Sequence, residues 1–319
     1  MVDHRRLLLV LLLWFGCIAS APPQEPSAAP PGQGKPEEQT SATTKNNDKP
    51  LPDIPALMIA VEANQRASEG IEKNYMFRSV VTQQETDGHD KVKKTETTEY
   101  EIFWSNGVPV QRLVRKNGKE LSADELKKEN ERVDQEAAKA NTRRARAEEQ
   151  GKETDPRGRE VLTASRALEL GSFRNARRLQ WNGRDTIAVD FTGDPKAKTR
   201  TRFEAVVRDL AGTLWIDEQD RVLVKVEGHF VNDFKIGGGI LADIKEGTSF
   251  GLEQRKINGE VWLPAMWEGQ GAARALLLFN VHGNARGVDS DYRKFKATST
   301  ILPGMSTVET EPAPKGGVE

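Results

Sequence analysis

The sequence predicts an α+β fold, with about a dozen strands and four helices built on one large curved antiparallel sheet. Two observations carry this. Apolar residues alternate with polar ones down most of the chain, and the alternating runs are divided by Asn-Gly and Asp-Gly pairs, which favour tight hairpin turns. The 319 residues also hold 47 basic and 48 acidic side chains with only 6% aromatic residues, a balance that suits a modest core flanked by solvated segments.

Asp53 caps a first helix with Pro55 in its opening turn; Leu57, Val61 and Ile71 give it an apolar stripe, and Asn74 ends it. Strands follow over Tyr75–Gln83, Thr95–Trp104 and Val108–Lys116, joined at Asp87-Gly88 and Asn106-Gly107 and closed by Asn117-Gly118. Ser122 and Glu125 form a capping box for a charged helix running to about Gln150, an insertion within residues 120–155. Leu126, Val133 and Ala140 give it a thin seam, and its mixed charges predict a solvated helix. A second amphipathic helix is expected over Arg159–Leu170, then strands Phe173–Trp181 and Arg184–Phe191 around Asn182-Gly183. A short helix over Thr201–Leu210 is closed by Gly212. Beyond it the chain reads as hairpins: Leu214 and Ile216 before the Glu218–Asp220 turn, Val222, Val224 and Val226 after it, then Thr248–Ile257, Val261–Glu268, Ala273–Val281 and Ser290–Thr300. Gly237–Gly239 marks a bend, and Asn258-Gly259 and Gly269–Gly271 mark turns.

The ends lie outside this domain, which spans 53–303. Residues 1–21 read as an export signal: Arg5 and Arg6 precede an apolar run from Leu7 to Ile18, shorter than the ~20 residues of a spanning helix. Cleavage is open between the Ala19-Ser20-Ala21 signal and a cut before Ser20, while Cys17 after Gly16 is a candidate lipidation residue. Residues 22–52 form a Pro-rich disordered tether, and 304–319 a disordered tail. Export implies a periplasmic or outer-membrane-associated protein, with peripheral or lipid-anchored association as the membrane option.

Composition removes several function classes. A net charge of −1 speaks against nucleic-acid binding, which needs a basic surplus to neutralise phosphates. One cysteine excludes a disulfide framework and a thiolate metal cluster. Gly247-Thr248-Ser249-Phe250-Gly251 matches a nucleophile elbow, but the chain continues as strand where the elbow needs a helix. His89, His229 and His282 are far apart, Gly237–Gly239 has no Lys-Ser/Thr behind it, and Asp289 and Asp291 supply too few ligands for calcium. No cofactor and no metal is expected, and a hydrolase is the third-ranked reading.

The remaining signal is apolar. Trp262, Pro264, Met266 and Trp267 share one strand, and Leu276–Phe279 run continuously in the next. From Asp53 to Leu302 the chain resembles the outer-membrane lipoprotein-sorting family, the LolA-type periplasmic lipoprotein carriers. The resemblance rests on the exported start, the first helix leading into the Tyr75 strand, and Gly212-Thr213-Leu214-Trp215-Ile216-Asp217 turning into Arg221–Glu227. Asn232–Gly239, Glu260-Val261-Trp262-Leu263-Pro264 and Asp291-Tyr292-Arg293-Lys294-Phe295 resemble a bacterial branch of it known by this fold alone.

The resemblance implies an unclosed β-barrel whose concave face, covered by helices, forms a pocket for acyl chains. It implies a non-enzymatic envelope protein that binds a lipid or lipoprotein acyl chain. On that reading, strand positions of one parity would line the pocket: Phe77, Tyr100, Ile102 and Trp104, then Val189 and Phe191, Val224 and Val226, Trp262 and Met266, and Leu278. The alternative is a sensor or interaction module related to the anti-sigma regulators of this fold, with the charged helix contacting an envelope protein partner.

Overall fold

The computed structural model describes residues 43–44 and 49–294, apart from 88, 90, 160, 237–241 and 276–278. The export signal, Cys17, the tether up to residue 48 other than Thr43 and Thr44, the Gly237–Gly239 bend, Leu278 and the tail lie outside the described residues.

Among the described residues, fourteen strands form one antiparallel sheet, not closed into a barrel, with four helices, which makes the fold α+β. Strand β1 (Thr43–Thr44) pairs with the end of β6 (Gly171–Trp181). The sheet then runs through β7 (Arg184–Gly193), β8 (Leu210–Asp217), β9 (Leu223–Phe230), β12 (Ser249–Ile257), β13 (Val261–Ala275) and β14 (Phe279–Lys294). It continues through β2 (Tyr75–Thr86), β3 (Val92–Ser105) and β4 (Val108–Lys116) to the short β5 (Lys119–Glu120). β10 (Phe234–Ile236) and β11 (Ala242–Ile244) form a small hairpin leaning on β13. The turn chemistry is as expected: Asn106-Gly107, Asn117-Gly118, Asn182-Gly183 and Asn258-Gly259 all hold both residues at positive φ, the type I′ signature of a two-residue hairpin.

Helix α1 (Ile54–Glu72) is capped by Asp53, whose carboxylate accepts from the Ala56 N–H at 3.0 Å. Leu57 and Val61 pack on Ile187, Val189 and Ile216, with Met58, Phe173 and Leu214 around them. Ile71, expected in the same stripe, is exposed, so the helix buries apolar residues only in its first half. Helices α3 (Ala164–Leu170) and α4 (Arg202–Arg208) continue this layer. They are clamped by a forked ion pair of Arg166 with Glu204, an acid held down to about 2 mainly by that guanidinium.

Four expectations are corrected. Arg159 is not helical: the Asp155 carboxylate accepts the Arg157 and Arg159 N–H groups in a turn, so α3 starts only after the Thr163 cap. Gly212 does not close a helix but lies inside β8, facing the Glu227 backbone closely enough to exclude a side chain. Gly269–Gly271 is not a turn: β13 runs unbroken through it, and Gly271 (φ 153°) makes room for Thr248 on the neighbouring chain segment. The charged helix α2 (Ala123–Glu149) is not a solvated appendage. Val133, Ala137 and Ala140 are buried against Phe103, Val108 and Val110, whereas Leu126 is exposed.

The charges of α2 explain its placement. It lies on the reverse face from α1, beside β4, whose outer edge has only two pairs with β5. An open strand edge leaves backbone groups unpaired. Glu129 accepts the Leu113 N–H (2.7 Å), Arg132 donates to the Gln111 carbonyl (2.6 Å), and Arg157 donates to the Pro109 carbonyl (2.9 Å). Asn141 and Arg144 reach the Asn106 and Gly107 carbonyls at 3.4 Å. Polar side chains of the helix and the loop behind it thus take the place of the missing neighbouring strand.

Candidate functional site

The candidate site is half of one sheet face. Register carries a single row of side chains across eight strands: Val189, Leu214, Val226, Leu252, Trp267, Gly287, Val81 and Thr98. Residues paired across antiparallel strands share a face, so this whole row points to the α1 side. Over β7–β8 the row is packed by α1. Over β12–β13–β14–β2–β3–β4 it passes into a cluster of Val81, Tyr100 and Trp267 with Ile102, Leu113, Leu252 and Ala285, to which strands alone contribute among the described residues.

Two glycines shape this half. A Cβ at Gly287 would run into the Trp267 indole, and one at Gly228 into the Phe250 ring. Each aromatic therefore lies across a bare strand backbone. The strand glycines opposite aromatic residues are the sequence signal that could have identified Trp267 and Phe250 as site residues.

Phe77, Tyr100, Ile102 and Trp104 fall on this half, with Phe77 paired to Ile102 and the Lys73 ammonium 5.8 Å from the Trp104 ring. Val189 is fully buried under α1, and Phe191 stacks at a tilt on Phe173 beside it, 5.1 Å between centroids. Val226 lies between them and the strand-only cluster, opposite Leu214 and Leu252. Val224 and Trp262 are instead on the reverse face, packed with Trp181 and Trp215, and Met266 has the parity opposite to the buried Trp267. A bulge accounts for Val224: Leu223 pairs with Ile216 but Lys225 with Trp215, leaving Val224 as the extra residue. Trp262 and Met266 have the parity opposite to Leu263 and Trp267 along β13. Of the eleven residues expected on one face, ten divide between two faces, and Leu278 lies outside the described residues.

A second concavity, about 190 Å³, lies on the reverse face between Trp181, Arg184, Val224, Gln254 and Trp262. Most of its charged groups pair with one another, while the Trp181 indole N–H is buried without a hydrogen-bond partner. Arg184 forks to Asp217 and Asp220, while the Lys256 ammonium (2.7 Å) and the Trp262 indole N–H (2.9 Å) also reach Asp220. Burial pushes the Asp220 acid up, but these donors outweigh it and hold it below the usual carboxylate range. Lys225 lies 4.1 Å from the Trp181 ring centre and Arg184 5.4 Å from that of Trp262. With its ring faces covered by cations and a volume below the ~300 Å³ of typical ligand pockets, this is a network that closes the β8–β9 turn.

Two acids on or near the α1 side are raised instead. Glu72, at the end of α1, is pushed up to about 7 by burial and then by Glu69. Asp289 is pushed up to about 6 by burial, against a hydrogen bond from Ser79. Asp289 is 5% exposed. The described residues contain no cluster able to hold a metal ion. Ser249 opens β12 rather than a helix, and His282 is exposed, so the elbow motif has no elbow. Among the described residues no helix is long and apolar enough to cross a membrane.

No sequence-family profile matches the chain. No curated protein matches it either. Among solved structures, it is similar to an outer membrane lipoprotein-sorting protein domain from Vibrio parahaemolyticus, with 10% identity, 77% of this chain and 95% of that one covered, and a TM-score of 0.36. A DUF1329 family protein from Desulfovibrio piger aligns at 10% identity over 75% of this chain and 95% of its own, TM-score 0.32. The MucA/MucB complex of Pseudomonas aeruginosa gives 8% identity over 74% and 99%, TM-score 0.20.

Proposed function

We propose that this chain is a non-enzymatic cell-envelope protein that holds a lipid or lipoprotein acyl chain against the part of its α1-side sheet face centred on Trp267. The observation that supports this is the cluster of Val81, Tyr100, Ile102, Leu113, Leu252 and Trp267, to which strands alone contribute among the described residues, with Trp267 lying over Gly287. A sheet face of this kind removes acyl methylenes from water at about 0.8 kcal/mol each. Phe77, Trp104 and Val226 extend the same surface, whereas Val224, Trp262 and Met266 leave the proposed site because they point away from it. The export signal of residues 1–21 supports a periplasmic or outer-membrane-associated location, with Cys17 as the anchor where it is acylated.

The interaction-module reading loses its main support, because Glu129, Arg132 and Arg144 of the charged helix are engaged with the sheet itself.

Titration of a neutral pyrene-labelled monoacylglycerol tests the proposal. Saturable binding is expected, weakened at least tenfold in Ile102→Glu and unchanged in Val80→Glu, whose side chain is on the reverse face and 36% exposed. Absence of saturable binding, or equal loss in both variants, rejects it.

A further inference from the structure

The apolar half of the sheet face contains one group that an acyl chain alone does not satisfy. Asp289 pairs with Ser79, Ser79 with Tyr100, and Tyr100 with Leu113, so the carboxylate stands in the row next to Gly287, Val81 and Thr98. It is 5% exposed, and its Oδ1 is buried without a hydrogen-bond partner. Ser79 serves the carboxylate, and the Tyr292 hydroxyl, instead of reaching the side chain, donates to the Pro264 carbonyl with the Asp289 carbonyl 3.1 Å away. A register break between Ser290 and Arg293, with Asp291 at φ 53°, brings Tyr292 back beside Phe77, 5.4 Å between ring centres. The acid is thus held between Phe77 and Tyr292 on one side and Tyr100, Val81 and Trp267 on the other.

A buried carboxyl oxygen with no partner is costly, and native structures keep such groups mostly where something else completes them. We infer that Asp289 selects the head of the bound lipid: the site takes an acyl chain whose first polar group is an N–H donor, an amide or an ammonium, and disfavours one ending in a free carboxylate. The inference rests on the acyl-binding proposal and names its ligand class. An N–H donor completes Oδ1 with a charge-assisted hydrogen bond, whereas a fatty-acid carboxylate would set two anions together where water screens them poorly. Tyr100, Val81 and Trp267 then receive the chain, and Asp289 sets its register along the sheet.

The test is displacement of the pyrene-labelled monoacylglycerol by dodecylamine, N-methyldodecanamide and dodecanoate at pH 7.5. In wild type, the amine or the amide is expected to displace the probe at least tenfold more tightly than dodecanoate. A lead for the amine over the amide assigns an ammonium head, and equality of the two assigns an amide N–H. Asp289→Asn keeps the side-chain shape and removes the charge; dodecanoate is expected to gain at least fivefold and the amine to lose its advantage. Ser79→Ala, which touches the same carboxylate without changing its charge, is expected to keep the wild-type order. A melting temperature of Asp289→Asn no lower than wild type verifies that the change is not one of folding. Equal affinities for all three compounds in wild type, or an unchanged order in Asp289→Asn, overturns the inference while leaving acyl binding in place. Failure of every acyl compound, the probe included, rejects the acyl reading beneath it.

Discussion

The two halves of the α1-side face start from the same row of side chains and end differently. Over β7 and β8, Leu57 and Val61 of α1 close on Ile187, Val189 and Ile216, each of these three strand residues fully buried. Over β12–β13–β14–β2–β3 the row continues through Leu252, Trp267 and Val81, but the cluster is made of strands alone. A sheet needs a second layer on an apolar face. Where α1 supplies that layer, the apolar row is core; on the reading proposed above, a bound acyl chain supplies it over the strand-only cluster. Alternation in sequence cannot distinguish the two, because both halves read as strands of one parity.

The sharpest way to break this comparison is one charge placed in each half. Val189→Asp puts an unpaired carboxylate under α1 and is expected to cost about 4 kcal/mol or more, enough to unfold a domain of ordinary stability. Ile102→Asp, half-buried in the strand-only cluster, is expected to cost less than half of that while abolishing binding of the acyl probe. Urea unfolding of both variants gives the two numbers side by side. Equal losses would mean that the two halves are a single core.

The charged helix provides the second contrast, since it is also a layer added to the sheet but on the reverse face. Replacing most of α2 by a short Gly/Ser linker removes the cover of Phe103, Val108 and Val110 and the partners of the β4 edge. Cooperative unfolding is expected to be lost, with aggregation through the bared edge. In the intact chain, Val133→Ala is expected to cost about 2 kcal/mol. A sharp two-state transition in the linker variant, seen by circular dichroism, would return α2 to the status of an appendage.

The buried acids test the polar side of the same comparison. Both have folded-state values above their ordinary ones, Glu72 at about 7 and Asp289 at about 6, each chiefly through burial. A raised acid binds its proton more tightly folded than unfolded, so its cost is absent below the unfolded value and fully present above the folded one. From pH 8 down to about 4.5, wild type is therefore expected to gain about 2–3 kcal/mol relative to Glu72→Gln, and a similar amount relative to Asp289→Asn from pH 7 to about 4. Parallel stability curves for wild type and either variant would show that the group is solvated.

Much of the scaffold is legible from local chemistry. The Asn-Gly pairs force positive φ at two successive residues and so place the hairpins, and Asp53 and Ser122 place two helix starts. What failed was information that neighbours supply. The bulge at Val224 turns that side chain away from Val226 because of β8, which no alternation within β9 reveals. The charges of α2 look solvated until the bare edge of β4 is beside them. Gly269 and Gly271 look like a turn because glycine marks turns and close approaches alike. Phe77, Tyr100, Ile102 and Trp104 share one face, as their alternation suggests, because β2 and β3 pair regularly along these positions, whereas β13 puts Trp267 and not its neighbour Met266 on that face.

The smallest expected effect sharpens the comparison most finely. Gly287 lies under the Trp267 indole and Gly228 under the Phe250 ring, both on the strand-only half. Neither glycine has a positive φ, so its role is the absence of a side chain and not backbone freedom. Alanine at either position lifts one ring from the sheet without adding charge or removing apolar surface. For Gly287→Ala the obstacle is a rigid indole, and overpacking of this kind costs about 1–2 kcal/mol. If the aromatic surface is a seat for an acyl chain, displacing the indole alters that seat directly, and probe affinity is expected to fall at least fivefold. Gly193→Ala is the matched control: its added methyl meets the Arg208 backbone, so it strains the end of β7 away from the Trp267 and Phe250 surface. Thermal melts and probe titrations of the two variants separate the cases. Loss of stability with affinity retained in both would make the glycines mere packing devices; loss of affinity confined to Gly287→Ala places the bound chain against Trp267.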